Sequence, residues 1–282
     1  MDTIERWSSA AAAYRSLTRS TPIFTRLAER LVGALPAGFA GTCIDLAAGS
    51  GLLAELLLAR HPGARVHLVE PAGPMLALAR EALGARAAGY HRRAAEELGR
   101  LELQADACLA SAAAHLLREE DVFPAVARAL RPGGLYAFNL WGHSFETTAD
   151  DPSFEWRAPV EAACRELGLA APRWPAVEPP RVRRLRDLEQ LGQACGLALE
   201  DCRTDRDALP GSFYVRFAAM FPAWMEHVPG GRREELLERA RERCEAAGAP
   251  LESRSTRLLF RRSDRAPDSQ PHARGPQGAP TA

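Results

Sequence analysis

The sequence lacks several features that mark whole classes of protein. It has no lysine and one asparagine, Asn139, and its 36 basic residues, all arginines, balance 36 acidic ones. Because the net charge is zero and no basic stripe is present, neither nucleic acid nor an anionic membrane is an expected partner. Alanine and arginine are abundant, as in a GC-rich coding sequence, so alanine-rich stretches are weak evidence for helices.

Cysteine and histidine are too scattered to indicate a disulfide-linked or metal-bound fold. The six cysteines form no Cys-x-x-Cys pair, and the seven histidines do not cluster. We therefore expect no disulfide framework and no metal site, and a reducing cytoplasm fits this composition. A long apolar run and a cleavable signal are also missing, which predicts a chain without a membrane span. At 282 residues the chain can bury a substantial core.

Strands and helices are predicted to alternate in the first half of the chain. Two helices, 4–19 and 22–35, come first. They are followed by strand 42–46, helix 51–60, strand 65–70, helix 74–83, strands 88–92 and 105–110, helix 120–130 and strand 135–140. Such alternation is typical of a parallel sheet covered by helices on both faces.

The rhythm changes after residue 140, where tryptophan and proline are frequent. Elements expected there are helices at 157–167 and 185–194, strands at 197–204 and 254–261, an aromatic helix near 212–226 and a charged helix at 231–247. The last stretch, residues 265–282, is rich in proline, glycine and serine and is predicted to be a disordered tail.

A glycine-rich turn, residues 45–51, is the most informative motif. It reads Asp-Leu-Ala-Ala-Gly-Ser-Gly and joins an apolar strand to a helix. Gly49 and Gly51 tolerate backbone angles that a Cβ disfavours, and the start of the helix offers unpaired N–H groups. The next apolar run ends in Glu70, where a carboxylate can accept hydrogen bonds from both hydroxyls of a ribose. Together these features predict a nucleoside cofactor.

Four motifs in order resemble the class I S-adenosylmethionine-dependent methyltransferases. They are residues 45–51, Glu70-Pro71 with the helix after it, the segment 105–116 and the Arg-Pro-Gly-Gly turn at 131–134. The resemblance implies an α/β fold, a Rossmann-like doubly wound and mostly parallel seven-stranded sheet with an N-terminal helical cap and a helical insertion. It implies one domain over 1–262, with a cap at 1–38, a cofactor-binding core at 42–140 and acceptor-side insertions at 141–183 and 207–250.

The resemblance also implies which residues bind S-adenosylmethionine. The expected set is Tyr14, Asp45, Ala47, Gly49, Gly51, Glu70, Pro71, Met75, Ala95, Glu96 and Ala110. Asp45 is expected to order the glycine loop or to reach the cofactor's ammonium group. One departure is Ala94, which stands where many members have an acidic residue for the adenine amino group, so adenine contact falls to the backbone, to Glu96, or to neither.

Candidate catalytic residues are few, because methyl transfer needs alignment more than acid–base chemistry. His115 is the candidate general base, since it follows the fourth strand and an imidazole titrates near neutral pH. His143 is a weaker rival. The spacing of Phe213, Phe217, Phe221 and Trp224 predicts one face of a helix, which either packs in the core or walls an apolar acceptor pocket. The arginine run 181–184 is interpreted as solvated surface.

The predicted activity is methyl transfer to a small, apolar or aromatic acceptor, with oxygen favoured and a quinone precursor or polyketide-type metabolite as examples. Two alternatives remain at this point. One is a methyltransferase-like protein that binds a metabolite or subunit without catalysis. The other is a nicotinamide-dependent reductase, which fits poorly because its glycine pattern does not continue beyond Gly51: Ala54 occupies the third position. The sequence carries no signal for an oligomeric state.

Overall fold

The computed structural model describes residues 3–146, 157–174, 182–248 and 251–263. The predicted disordered tail, together with Trp156 and the prolines Pro175, Pro179 and Pro180, lies outside this part. The described elements are, in order, α1 (Thr3–Ser9), α2 (Ala11–Ser20), α3 (Pro22–Val32), β1 (Thr42–Leu46), α4 (Leu52–Arg60), β2 (Arg65–Val69), α5 (Gly73–Leu83), β3 (Gly89–His91), β4 (Ala105–Ala110), α6 (Glu119–Ala129), β5 (Leu130–Trp141), α7 (Arg157–Glu166), α8 (Leu185–Ala194), β6 (Leu197–Leu209), α9 (Gly211–Ala219), α10 (Gly230–Ala246) and β7 (Leu251–Arg262).

The strands form one seven-stranded sheet in the order β3-β2-β1-β4-β5-β7-β6. All neighbours from β3 to β5 pair in parallel, whereas β7 is antiparallel to both β5 and β6. The strand order reverses direction between β1 and β4, and ligands of doubly wound sheets bind at the carboxyl ends of the strands beside such a point. The predicted fold class is confirmed.

Each face of the sheet carries its own apolar layer. On one face, Phe123 of α6 packs edge-on against Tyr136 and Phe260 of the sheet, with ring centroids 5.4 and 5.2 Å apart. On the other face, α3, α4 and α5 cover β1 and β2 with fully buried side chains such as Leu31 and Leu57. The central strands β1 and β4 are thus buried on both sides, which explains their mainly apolar sequences.

Three element boundaries differ from the sequence-based expectation. The helix predicted over 4–19 is two helices, because the chain turns at Ala10 and lets both α1 and α2 contact α5. Strand β5 begins at Leu130, since the Arg-Pro-Gly-Gly turn is a bulge between the pairs Ala105–Leu130 and Ala107–Leu135. Strands β6 and β7 are longer than predicted, because they pair in one antiparallel ladder that reaches Leu209 and Leu251.

The aromatic helix predicted near 212–226 is also divided. Helix α9 ends at Ala219, and a short 3₁₀ turn, Pro222–Met225, follows it. Phe213 therefore packs with the N-terminal helices, whereas Trp224 packs with α7 and α10. Among the described residues, no helix is long and apolar enough to cross a membrane.

Candidate active site

A cavity of about 440 Å³ lies at the carboxyl ends of β1, β2 and β4. Its wall comes from the N-terminal helices, from the turns that follow these strands and from the start of the 3₁₀ turn Ala95–Leu101. Nine of the eleven residues predicted to bind the cofactor line it: Tyr14, Asp45, Ala47, Gly49, Glu70, Pro71, Met75, Ala95 and Glu96. The fold therefore gathers these nine residues from four separated segments of the chain.

The glycine-rich turn presents main chain to this cavity. Ala47 and Gly49 have positive φ angles of 54° and 53°, conformations that cost an alanine energy and that a glycine adopts freely. The N–H of Ala48 donates to the carbonyl oxygen of Val69 at 3.1 Å, which fixes the turn against the end of β2. Bare backbone thus faces the open space.

Glu70 is buried at the cavity wall and is held by two backbone groups. Its two carboxylate oxygens accept hydrogen bonds from the N–H of Gly49 at 2.9 Å and from the N–H of Ala72 at 2.8 Å. Burial raises the pKa of the Glu70 carboxyl, and these two bonds partly offset the shift. Each oxygen keeps a further lone pair for a hydroxyl donor.

Asp45 lies deeper and belongs to the support of the turn. The side chain is 1% exposed, and one carboxylate oxygen accepts the N–H of Ala54 in the first turn of α4 at 3.1 Å. Burial is the main reason that the pKa of Asp45 is raised to about 8; the Ala54 bond opposes the shift, and the nearby charge of Glu70 contributes to it. Two buried carboxyls whose charges interact therefore line the inner end of the cavity.

Aromatic side chains from the N-terminal helices cover the same end. Trp7 and Tyr14 meet edge to face with ring centroids 5.1 Å apart, and Tyr14 meets Phe24 at 5.7 Å. Burial, reinforced by the charge of Glu70, raises the pKa of the Tyr14 hydroxyl well above its usual value. The indole N–H of Trp7 is buried and has no partner among the residues described, so the cavity wall carries a donor that a ligand oxygen can satisfy.

The loop after β4, residues 111–118, forms the opposite wall and is called the wall loop below. Its lining residues are Ser111, Ala112, Ala113, Leu116, Leu117 and Arg118. Ala112 has a positive φ of 54°, and its N–H donates to the Oδ1 atom of Asn139 at 2.6 Å. The Asn139 amide in turn donates to the carbonyl of Leu27 at 3.3 Å. Sequence reasoning missed this link, although the chain's one asparagine at the end of β5 was a signal.

Three predicted site residues lie away from the cavity lining. A Cβ on Gly51 would stand 3.0 Å from the Cβ of Ala79, so glycine there allows α5 to pack closely on the turn. Ala110 is fully buried at the end of β4. His115 lies in the wall loop, but neighbouring residues supply the lining; its carbonyl accepts a hydrogen bond from Arg183. The rival His143 belongs to a 3₁₀ turn, Gly142–Ser144, and its side chain lies outside the described part.

Two interpretations of later segments need correction. Arg183 is not solvated surface: it is 6% exposed and forms an ion pair with the buried Glu119, because the segment that carries it packs on the end of β5. The aromatic stripe supplies none of the cavity-lining residues in the part of the chain that is described. Phe213 instead packs behind Phe24, with ring centroids 6.0 Å apart.

Similarity to known proteins agrees with this geometry. Residues 43–134 match the family described as a methyltransferase domain, and curated protein sequences gave no match. A candidate sarcosine dimethylglycine methyltransferase of Galdieria sulphuraria is 18% identical, with a TM-score of 0.51 and coverage of 86% of this chain and 87% of that one. A Haemonchus contortus phosphoethanolamine N-methyltransferase, solved with phosphomonomethylethanolamine and S-adenosylhomocysteine, is 15% identical, with a TM-score of 0.56 and coverage of 91% and 58%.

A third structure, from work on the conversion of a disulfide bond into a thioacetal group during echinomycin biosynthesis, is 20% identical, with a TM-score of 0.51 and coverage of 87% and 82%. At these identities the likeness establishes the fold, and the family match covers the strand, turn and carboxylate that border the cavity. Among the described residues, no group of three or more potential ligands could hold a metal. Residues 43–134 therefore match a methyltransferase domain, and the fold around them is one that methyltransferases of known structure share.

Proposed function

We propose that the protein transfers the methyl group of S-adenosylmethionine to a small, apolar or aromatic acceptor, with an acceptor oxygen favoured. The supporting observation is that one cavity combines a carboxylate-bearing inner end, at Asp45 and Glu70, with apolar side chains from Ile4, Phe24 and Leu116. A pocket of this kind orients a ligand by a few polar groups and binds the remainder by apolar contact. A phenolic quinone precursor or a polyketide-type secondary metabolite has the matching chemistry.

The residues around the inner end fit the cofactor. Glu70 is proposed to accept both ribose hydroxyls, since each oxygen already holds one backbone N–H and has a lone pair left. Ala47, Gly49 and Pro71 offer backbone close to the methionine and ribose parts, and Tyr14 closes over them. Met75, Ala95 and Glu96 line the side proposed for adenine, where Glu96 replaces the acidic residue missing at position 94.

When bound, S-adenosylmethionine supplies a methyl group on a positively charged sulfur. The protein's own task is then to align the acceptor with this methyl group and to exclude water. Alignment can lower the activation barrier by up to ~7–11 kcal/mol. The aromatic cover of Trp7, Tyr14 and Phe24 would exclude water from the inner end. His115 is not among the lining residues, so we propose that alignment dominates and that any base role of His115 requires a movement of the wall loop.

A transfer assay tests the proposal. The protein would be incubated with methyl-labelled S-adenosylmethionine and a panel of lipophilic phenols, matched aliphatic alcohols and small amines, and products would be identified by mass spectrometry. We expect label on the phenols. Label on amines alone would contradict the oxygen preference, and label on small polar acceptors alone would contradict the apolar class.

The domain limits and the location are part of this proposal. We place the cofactor-binding core at 42–140 and the acceptor-side insertions at 141–183 and 207–250. In the described part, α7, α9 and α10 share one apolar cluster around Val160, Val215 and Leu236, which supports treating the insertions as one unit. We place the reaction in the cytoplasm, because all six cysteines are free thiols.

A further inference from the structure

We propose that Arg183 is a positioning residue that holds the wall loop and thereby sets the affinity for the methyl acceptor. This inference rests on the proposed function in one respect, the assignment of the wall loop to the acceptor side. Arg183 is 68 and 66 positions away in sequence from His115 and Leu117, the two loop residues whose carbonyls it binds.

Arg183 contacts the wall loop through its guanidinium group. Its Nη2 atom donates to the carbonyl oxygens of His115 at 3.1 Å and of Leu117 at 3.0 Å. These two carbonyls flank Leu116, whose side chain is 41% exposed and lines the cavity. One guanidinium thus fixes the backbone on both sides of a cavity-lining residue.

Arg183 is itself rigidly placed. Its Nε atom pairs with the carboxylate of Glu119, the first residue of α6, and both side chains are at least nine-tenths buried. Its N–H donates to the carbonyl of Ser144 at 3.0 Å, and its carbonyl accepts the N–H of Glu146 at 2.8 Å. Arg183 therefore joins the wall loop, the start of α6 and the chain just after β5.

An arginine side chain is suited to holding a carboxylate and two carbonyls together. Arginine presents five donors in a planar fork, so it can bind a carboxylate and two carbonyls at once, whereas an ammonium group is a compact donor on a flexible stem. Other hydrogen bonds described for the wall loop include two internal turn bonds, from Leu116 N–H to Ala113 and from Leu117 N–H to Ala114, and the bond from Ala112 to Asn139. At its end the Arg118 carbonyl accepts the N–H groups of two residues of α6. Losing the guanidinium should loosen residues 115–117 most.

The cofactor end does not depend on these contacts. Glu70 is held by Gly49 and Ala72, and Asp45 by Ala54. Arg183 should therefore affect the acceptor and leave the cofactor unaffected. A general loss of structure would affect both.

The experiment compares three variants. Arg183→Lys keeps the charge, and the double variant Arg183→Met with Glu119→Gln removes both buried charges, so that it can fold without an unpaired carboxylate. Arg184→Met is the matched control, because the neighbouring arginine is exposed. Amide hydrogen exchange of residues 112–118, calorimetric affinity for S-adenosylhomocysteine, and KM and kcat with a phenol methylated by the native protein are measured for each.

We expect exchange at Leu116 and Leu117 to accelerate by about tenfold in the double variant and less in Arg183→Lys, with unchanged affinity for S-adenosylhomocysteine. The acceptor KM should rise by about tenfold with little change in kcat. Native exchange rates in the double variant, or equal losses of acceptor and cofactor affinity, would overturn the proposal. If the native protein methylates no phenol, the proposed acceptor class is wrong. The role of Arg183 is still tested in that case, because unchanged amide exchange or a loss of S-adenosylhomocysteine affinity in the double variant would refute it.

Discussion

Replacing Glu70 with glutamine tests the proposed cofactor site most directly, because the two side chains have the same shape and differ in charge and donors. In the native protein both carboxylate oxygens accept a backbone N–H, from Gly49 at 2.9 Å and Ala72 at 2.8 Å. Glutamine has one acceptor oxygen, so its NH₂ group must face one of these N–H groups. The lost bond should lower the free energy of unfolding by about 1–3 kcal/mol.

The expected effect on cofactor affinity follows from the ribose contacts proposed for Glu70. Hydrogen bonds to a charged group contribute about 1.5–3 kcal/mol each, and glutamine keeps part of one of the two. A loss of about 2–4 kcal/mol corresponds to a Kd that is weaker by roughly 30- to 700-fold, at 1.4 kcal/mol per tenfold change. Titration calorimetry with S-adenosylmethionine and with S-adenosylhomocysteine measures this change in Kd, at a temperature below the unfolding midpoints of both the native protein and the variant.

The two ligands separate two explanations. Both contain the same ribose, so a lost ribose contact weakens both equally, whereas a lost charge interaction weakens chiefly the cationic sulfonium. Glu81→Gln is the control, because that carboxylate is 67% exposed and pairs with Arg15 at the surface. If folded Glu70→Gln binds both ligands within threefold of the native affinity, the ribose assignment is refuted. A threefold change corresponds to ~0.6 kcal/mol, which is less than a hydrogen bond to a charged group contributes.

Three further predictions concern stability. Burial raises the pKa of Asp45 from its usual 3.8 to about 8, so the folded state holds a proton that the unfolded state releases between these values. Asp45 should therefore lower the free energy of unfolding by up to about 1.4 kcal/mol per pH unit as pH rises through this window. In urea unfolding, Asp45→Asn should show a fall that is shallower by this amount and keeps the contribution of Glu70, whose pKa is also raised; equal slopes in the two proteins would contradict the assignment. Ala112→Gly should raise the free energy of unfolding by up to about 1 kcal/mol, because φ is +54° there, and a urea midpoint below native would count against it. His61 is 3% exposed, and neither ring nitrogen has a partner within the described ranges, so His61→Leu should stabilise the protein by about 1 kcal/mol in thermal unfolding, and a large loss would reveal a hidden partner.

The parts of the site that sequence predicted well are those built from local pattern. The turn from β1 into α4, and the carboxylate at the end of β2, each follow from a few neighbouring residues. Because parallel strands end at the same edge of a sheet, alternation alone places Gly49 beside Glu70, and the structure joins them by a hydrogen bond of 2.9 Å. The ends of strands were least predictable where pairing with a neighbouring strand sets them, as in β6 and β7.

The parts that sequence missed depend on contacts between distant segments. Arg183 stands in a run of arginines that reads as surface, and only the approach of the β5 end and α6 buries it beside Glu119. The same holds for Asn139, which bonds Ala112 and Leu27 across three elements.

The sequence by itself determined that this chain folds as a doubly wound sheet with a glycine-rich turn and a carboxylate at the edge where such sheets bind ligands, because strand periodicity, turn glycines and a strand-end carboxylate are local and carry their own physical meaning. The tertiary structure decided which side chains line the cavity and which of them hold the wall loop. Packing free energy is shared among segments far apart in the chain, so burial of Arg183 or the placement of Trp7 at the cavity has no local signal.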